Sequence, residues 1–335
     1  MTVRLFIALS RLQRLFVGVL LAAIFMTAGK LNAQNQNYGA LFLLLPMGAH
    51  AVGLSEAVVA DSSLGSEGIW WNPASLARLR KREIGVLHSQ NSFFTSDMLS
   101  VAFPSKIFGT IAAGANIVNY GDGQATDITT GAVIGTITNH DYLLVASYAT
   151  PIGKRLSFGI SAKLVLRRFI CSGCTTNPGT ESSTNAVDLG AQYALPTRLP
   201  ITVGLSVRNL GQPLQTKDAE QADPIPPVIQ FGARVRIPIA ALDSNDTSLD
   251  IQSDVFSSPA YSGPSIRFGA ALTYSKDYVL RVGYKSAAGT GDNSNGFSVG
   301  LGVAKGAFAL DFARRFDATS QLGGAPTYVS LRVLF

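Results

Sequence analysis

The feature that most restricts this chain is a side-chain period of two, returning in segment after segment from residue 83 to the last residue. Across 156–167, Leu156, Phe158, Ile160, Ala162, Leu164 and Leu166 alternate with Ser157, Gly159, Ser161, Lys163, Val165 and Arg167. Across 229–237, Ile229, Phe231, Ala233, Val235 and Ile237 alternate with Gln230, Gly232, Arg234 and Arg236. The same pattern runs through 201–208, 266–274, 278–285, 297–303 and 329–335. A helix repeats its neighbours every 3.6 residues, so this periodicity belongs to extended strands with one greasy and one wet face. It predicts about fourteen strands: 83–90, 96–104, 108–119, 140–150, 154–170, 184–195, 200–211, 226–238, 246–257, 262–275, 278–285, 296–304, 307–316 and 327–335.

The connections alternate as well. Those near 104–107, 151–153, 196–199, 275–277 and 305–306 are short, with 239–245 the longest of that set. Those at 120–139, 171–183, 212–225, 286–295 and 317–326 are longer and rich in Gly, Asn, Asp, Ser and Thr, while 91–95 and 258–261 break the length rule. Short turns on one side and longer loops on the other are the habit of transmembrane β-barrels. Hydrophobic residues make up 47% of the chain and charged ones 14%, yet no transmembrane-length apolar run follows residue 30. A soluble β-sandwich could share the alternation; export, strand count and the loop series favour a transmembrane antiparallel barrel. The chain closes on Val329, Leu331, Val333 and Phe335, all in one phase. A terminal aromatic on such a strand resembles the signal read by the outer-membrane barrel assembly machinery, which makes Phe335 the candidate assembly signal.

Arg4, Arg11 and Arg14 precede the apolar run 15–28, and Leu31-Asn32-Ala33 offers a cleavage point. Residues 1–33 therefore read as a secretory signal peptide, the apolar core being too short for a comfortable single-pass anchor. This segment carries four basic and no acidic residues, so the chain's 27 basic and 21 acidic residues fall to 23 and 21 in the mature protein. The basic balance does not argue for nucleic acid. In an oxidising compartment the two cysteines, Cys171 and Cys174, read as a local disulfide. Closing so small a loop would contribute about 2 kcal/mol.

Inside a bilayer, a Lys or Arg facing lipid at the midplane costs roughly 2–4 kcal/mol. The alternation accordingly turns Lys163, Arg167, Arg208, Arg234, Arg236, Arg267, Arg281 and Arg332 toward the lumen, together with Asp188, Asp250, Asp254 and Asp311. Two readings follow: a network of ion pairs bracing the barrel, or a basic lining that draws in an anionic ligand or headgroup.

Residues 34–82 do not alternate. The stretch 48–61 is rich in small residues and leads to Trp70-Trp71-Asn72-Pro73-Ala74-Ser75-Leu76. Asn72 is a good N-cap and Pro73 suits the first helical position, predicting a short helix from 73 to about 79. Such a fine-grained segment fits inside a lumen, as a plug.

Phe42-Leu43, Gly48-Ala49, Ala60-Asp61 and the plug motif Trp71-Asn72-Pro73-Ala74 resemble the N-terminal signature of the PorV/PorQ family of outer-membrane proteins, relatives of FadL-type barrels. Asp188-Leu189-Gly190-Ala191-Gln192-Tyr193, Arg208-Asn209-Leu210-Gly211 and Arg281-Val282-Gly283-Tyr284 resemble its barrel strands. The resemblance implies a fourteen-stranded outer-membrane barrel of a diderm bacterium with a plug in 34–82 and a barrel in 83–335. It further implies a part in type IX secretion, binding exported cargo proteins and secretion components. FadL-type relatives instead pass hydrophobic or amphipathic small molecules.

No Gly-x-Ser-x-Gly, phosphate loop or His-Glu-x-x-His occurs, and His50, His88 and His140 are scattered. The run 292–296 lacks the closing Glu of a calcium loop and reads as a turn. The sequence points to no catalytic residue, no cofactor and no metal: a non-enzymatic barrel.

Overall fold

The computed structural model describes residues 38–174, 179–217, 220–239, 246–261, 263–287, 295–317 and 325–335. The expected signal peptide at 1–33 lies outside the described residues, as does most of the 292–296 turn. Fourteen long strands form the wall: β1 Glu83–Gln90, β2 Thr95–Ser105, β3 Gly109–Thr126, β4 Val133–Ile152, β5 Leu156–Ser172, β6 Gly179–Ala194, β7 Ile201–Gly211, β10 Val228–Pro238, β11 Ser248–Ser257, β12 Ser265–Tyr274, β13 Tyr278–Ala287, β14 Gly296–Lys305, β15 Phe308–Asp317 and β16 Thr327–Leu334. Two short strands, β8 Leu214–Thr216 and β9 Ala222–Asp223, make a hairpin on the rim beside β6.

Each wall strand pairs antiparallel with its sequence neighbours. The ring closes where β1 pairs with β16, from Glu83 opposite Leu334 to Gln90 opposite Thr327. Backbone bonds between Arg82 and Phe335 extend this seam to the last residue, N to O at 3.0 and 2.9 Å. An unpaired amide in hydrocarbon costs several kcal/mol, so closure satisfies what an open sheet could not. Among the described residues no helix is long and apolar enough to cross a membrane.

The period of two becomes two surfaces. Val86, Leu99, Ile111, Leu144, Ile160, Leu205, Ile229, Ile251, Phe268, Val282, Leu301, Leu310 and Leu331 all stand exposed on the outside. A contiguous apolar belt of this extent is an interface with lipid rather than water. The alternate residues of each strand are buried inside the ring.

Three expectations need correction. The segment 120–139, read as a loop, is mostly strand: β3 runs to Thr126 and β4 starts at Val133, leaving a turn at 127–132. Likewise 171–183 is largely ladder, because β5 reaches Ser172 and β6 begins at Gly179. Outside the bilayer both strand faces are wet, so Thr-, Ser- and Gly-rich sequence pairs there without any alternation to betray it. The helix expected over 73–79 is a 3-10 turn, Pro73–Arg78, with Asn72 Oδ1 accepting from the Ala74 amide at 3.0 Å.

If the belt meets hydrocarbon, Leu301→Arg should lower the unfolding free energy in vesicles by about 2–4 kcal/mol. Urea titration of the heat-modifiable band on an unboiled gel measures this; an unchanged midpoint would argue that Leu301 does not face lipid.

Candidate functional site

Residues 38–77 lie inside the ring, and 78–82 lead out to the rim. Nearly every side chain from Met47 to Ala77 is buried, and the segment touches strands on all sides. Its backbone is bent by left-handed residues at Ala40, Gly48, Ser55, Glu56 and Gly65, which lets a chain of short helical turns fold back repeatedly in a narrow space.

Glycines in the wall make room for it. Gly159 and Gly190 are directly paired on β5 and β6. A Cβ at Gly190 would lie 2.0 Å from Asn72 Oδ1, and one at Gly159 only 2.4 Å from the Pro73 carbonyl carbon. Trp71-Asn72-Pro73-Ala74 therefore leans on a patch of bare backbone. Asn72 also donates to the Val59 carbonyl at 2.7 Å. A second patch, Gly269 opposite Gly283 on β12 and β13, receives Leu54 and Ser55.

The lumen charges hold the segment in place. Asp61 accepts from His50 Nε2 at 3.1 Å, Arg234 at 3.0 Å and Gln252 at 2.9 Å. Burial alone would raise its pKa, yet the Arg234 guanidinium and His50 hold it well below the ordinary carboxylate range. Glu56 meets Arg267 at 2.9 Å and Arg315 at 3.4 Å. Glu83 on β1 accepts from the Ser66 amide and hydroxyl, and Arg332 reaches the Leu64 carbonyl at 3.2 Å. Asp254 accepts from the Val59 amide at 2.8 Å, and Arg208 donates to the Trp70 carbonyl at 3.0 Å while lying over the Trp71 ring.

The remaining charges pair across the wall. Lys163 meets Asp188 at 2.6 Å, Arg167 meets Asp141 at 2.8 Å, and Asp250 lies between Arg234 and Arg236. Asp311 binds Arg281 at 2.6 Å and Arg332 at 3.2 Å. Arg167 and Arg236 remain partly open to solvent. Each of the eight expected cations thus lies against an acid or a polar group of this chain, an arrangement of ion pairs rather than a bare basic lining. His50, Glu56, Glu67, Glu83 and Asp141 were not expected at the site. The available signal was acids inside small-residue sequence, and acids on the inward phase of a strand. Cys171 and Cys174 are joined in a disulfide at the β5–β6 rim, and Phe335 is exposed at the seam.

The lumen has two unlike sides. From β7 to β16 the inward residues are mostly polar or charged. From β1 to β5 they include the apolar cluster Leu87, Met98, Val118, Leu143 and Val165 among polar residues such as Asn116, Asp141, Ser161 and Lys163. Phe42, Leu43, Met47, Trp70 and Trp71 fill the space against that apolar cluster. Toward the short turns a cavity of about 210 Å³ opens between the segment and β10–β16, lined among others by His50, Asp61, Arg236, Gln252 and Arg281. Among the described residues no group of His, Cys, Asp and Glu could hold a metal ion.

No protein-family model matches the sequence, and no curated protein matches it. Solved structures do. The toluene transporter TbuX of Ralstonia pickettii is 12% identical with a TM-score of 0.57, covering 86% of this chain and 98% of its own. The monoaromatic hydrocarbon channel CymD is 15% identical with a TM-score of 0.56, covering 89% and 99%. The toluene transporter TodX of P. putida is 13% identical with a TM-score of 0.54, covering 86% and 98%. At such identities the likeness speaks for the fold alone, and the fold of this chain is a closed fourteen-stranded barrel.

Two results should follow from this geometry. Gly159→Val with Gly190→Val should push Asn72 and Pro73 off the wall without opening the ring. Single-channel conductance in a planar bilayer should rise while the heat-modifiable band persists. Burial pushes the Glu67 carboxyl up to about 7 from an unfolded value of 4.5. The folded protein therefore holds the extra proton, and this stabilisation, complete below the unfolded value, is lost as pH climbs through about 7. Glu67→Gln should flatten stability between pH 5 and 8 by up to roughly 3 kcal/mol, read from urea midpoints.

Proposed function

We propose that this protein is a non-enzymatic outer-membrane channel for hydrophobic or amphipathic small molecules, with residues 38–82 as its plug. The observation that carries this reading is the apolar cluster on one side of the lumen. A water-filled pore is lined with polar side chains. Here Leu87, Met98, Val118, Leu143 and Val165 line one side, and the chain's own Leu41–Leu44 turn places Phe42 and Leu43 against it. That surface is covered by the segment's own Phe42, Leu43 and Trp70, and a greasy solute could take their place at low cost once the segment shifts. The hydrocarbon transporters of similar fold support the same substrate class. Location in the outer membrane rests on the lipid-type belt and on the same fold likeness.

Type IX secretion is the second reading. It is favoured by the resemblance of Trp71-Asn72-Pro73-Ala74 and its flanks to the PorV/PorQ signature, and it would make exported cargo the partner. The fold comparisons support the transport reading better. Deleting the gene separates the two: loss of surface delivery for cargo with C-terminal secretion signals would favour secretion.

The chain's two tryptophans, Trp70 and Trp71, are both buried in the lumen, so indole emission reports on that space. Titrating the purified barrel in detergent with a monoaromatic hydrocarbon or a long-chain amphiphile should quench it saturably. Leu143→Asn with Val165→Asn should weaken the apparent affinity by roughly tenfold or more. Unchanged emission across both ligand types, in protein that still runs as a folded band, would overturn the proposal.

A further inference from the structure

The two rims of the barrel carry opposite charge. At the short-turn rim, Arg80, Lys81 and Arg82 lead into β1, and every one of these cations is exposed. Lys106 occupies the β2–β3 turn, Lys154 and Arg155 the β4–β5 turn, and Arg198 the β6–β7 turn. Lys276 and Lys305 occupy the β12–β13 and β14–β15 turns. The acids among the described residues of these turns are Asp246, paired with Lys276, and Asp277. At the opposite rim the balance shifts: Asp97, Asp122, Glu181 and Glu220 are exposed there, against Arg168, Lys217 and Arg314.

The basic residues are spread around the rim rather than gathered in a patch, one or two at five of the six short turns, the β10–β11 turn carrying Asp246 instead. Just inside them, on the outer wall, stands a girdle of exposed aromatics: Phe108, Tyr148, Tyr193, Tyr274, Tyr278 and Phe308. The Tyr148 hydroxyl donates to the Phe108 carbonyl at 2.7 Å, holding its polar end at the turn. Aromatic girdles mark the level of the lipid headgroups. Long cationic side chains one or two residues beyond such a girdle reach the phosphate plane with their stems along the apolar belt.

We infer that the short-turn rim is a docking surface for anionic phospholipid, a circle of headgroup sites that selects phosphatidylglycerol-type lipids from the leaflet it abuts. The inference rests on the membrane reading above and on its own observation, the charge ring joined to the aromatic girdle. Charge complementarity and the continuity of ring, girdle and belt favour a lipid over an acidic protein, which would need no girdle beneath it.

The test uses the mature chain folded into vesicles of equal phosphatidylglycerol and phosphatidylcholine, extracted gently, with the co-purifying lipid measured by mass spectrometry. Phosphatidylglycerol should be enriched at least about threefold over the bulk ratio, and the enrichment should fall in high salt. A variant carrying K106Q, K154Q, R155Q, R198Q and K305Q should return the ratio toward one, and D97N with D122N and E181Q on the far rim should leave it unchanged. An unenriched wild-type ratio, or full enrichment in the five-site variant, overturns the inference. Insertion into phosphatidylcholine alone, seen as the heat-modifiable band, separately reports whether the chain is a membrane barrel. That band can be present while lipid selection is absent.

Discussion

Everything in this molecule depends on where backbone amides go when no water is at hand. In hydrocarbon they must find one another, and a sheet can arrange that for every strand only by meeting its own first edge. The β1–β16 seam, carried on by the Arg82 and Phe335 backbone bonds, supplies that meeting. Once the ring is closed, its outer face has to be greasy and its inner face is set apart. Charges excluded from the lipid side collect in the interior, where they need partners.

The interior answers that need with the chain's own N-terminal segment. Burying a charge without a partner is costly, and breaking a buried pair by removing one member costs about 3–5 kcal/mol. Asp61 and Glu56 link the segment to the wall through Arg234 and Arg267, and Glu83 of the wall accepts from the Ser66 amide. Wall and segment are thus mutually dependent: if the segment leaves, Arg267 loses Glu56 and Arg234 keeps only Asp250, while Asp61 and Glu56 lose their cations. The glycine patches at 159/190 and 269/283 supply the complementary condition, wall without side chains where the backbone of the segment passes.

The strands, their number and the inward phase of the charges were legible, because lipid on one side enforces a period of two. Asn72 and Pro73 were legible as a turn because capping chemistry is local. The extensions of β3 to β6 were not, since ladders in water on both faces carry no greasy signature. The clamps were not legible either. Asp61 with Arg234 and Glu56 with Arg267 join residues more than 170 positions apart, and one sequence says nothing of which distant acid meets which base. The apolar side of the lumen was hidden for a related reason: Val165 falls on the same phase as Ser161 and Lys163, so a greasy inward residue reads as a lapse in the alternation.

The unequal strand lengths have a geometric outcome. β3 to β6 are 18, 20, 17 and 16 residues long, whereas β10 to β15 run 10 or 11. At about 3.3 Å per residue the surplus is on the order of 20 Å of strand. Over β3 to β6 the described ladder therefore stands well beyond that of β10 to β15, so one arc of the ring carries sheet that outlasts the bilayer and presents two wet faces at the rim.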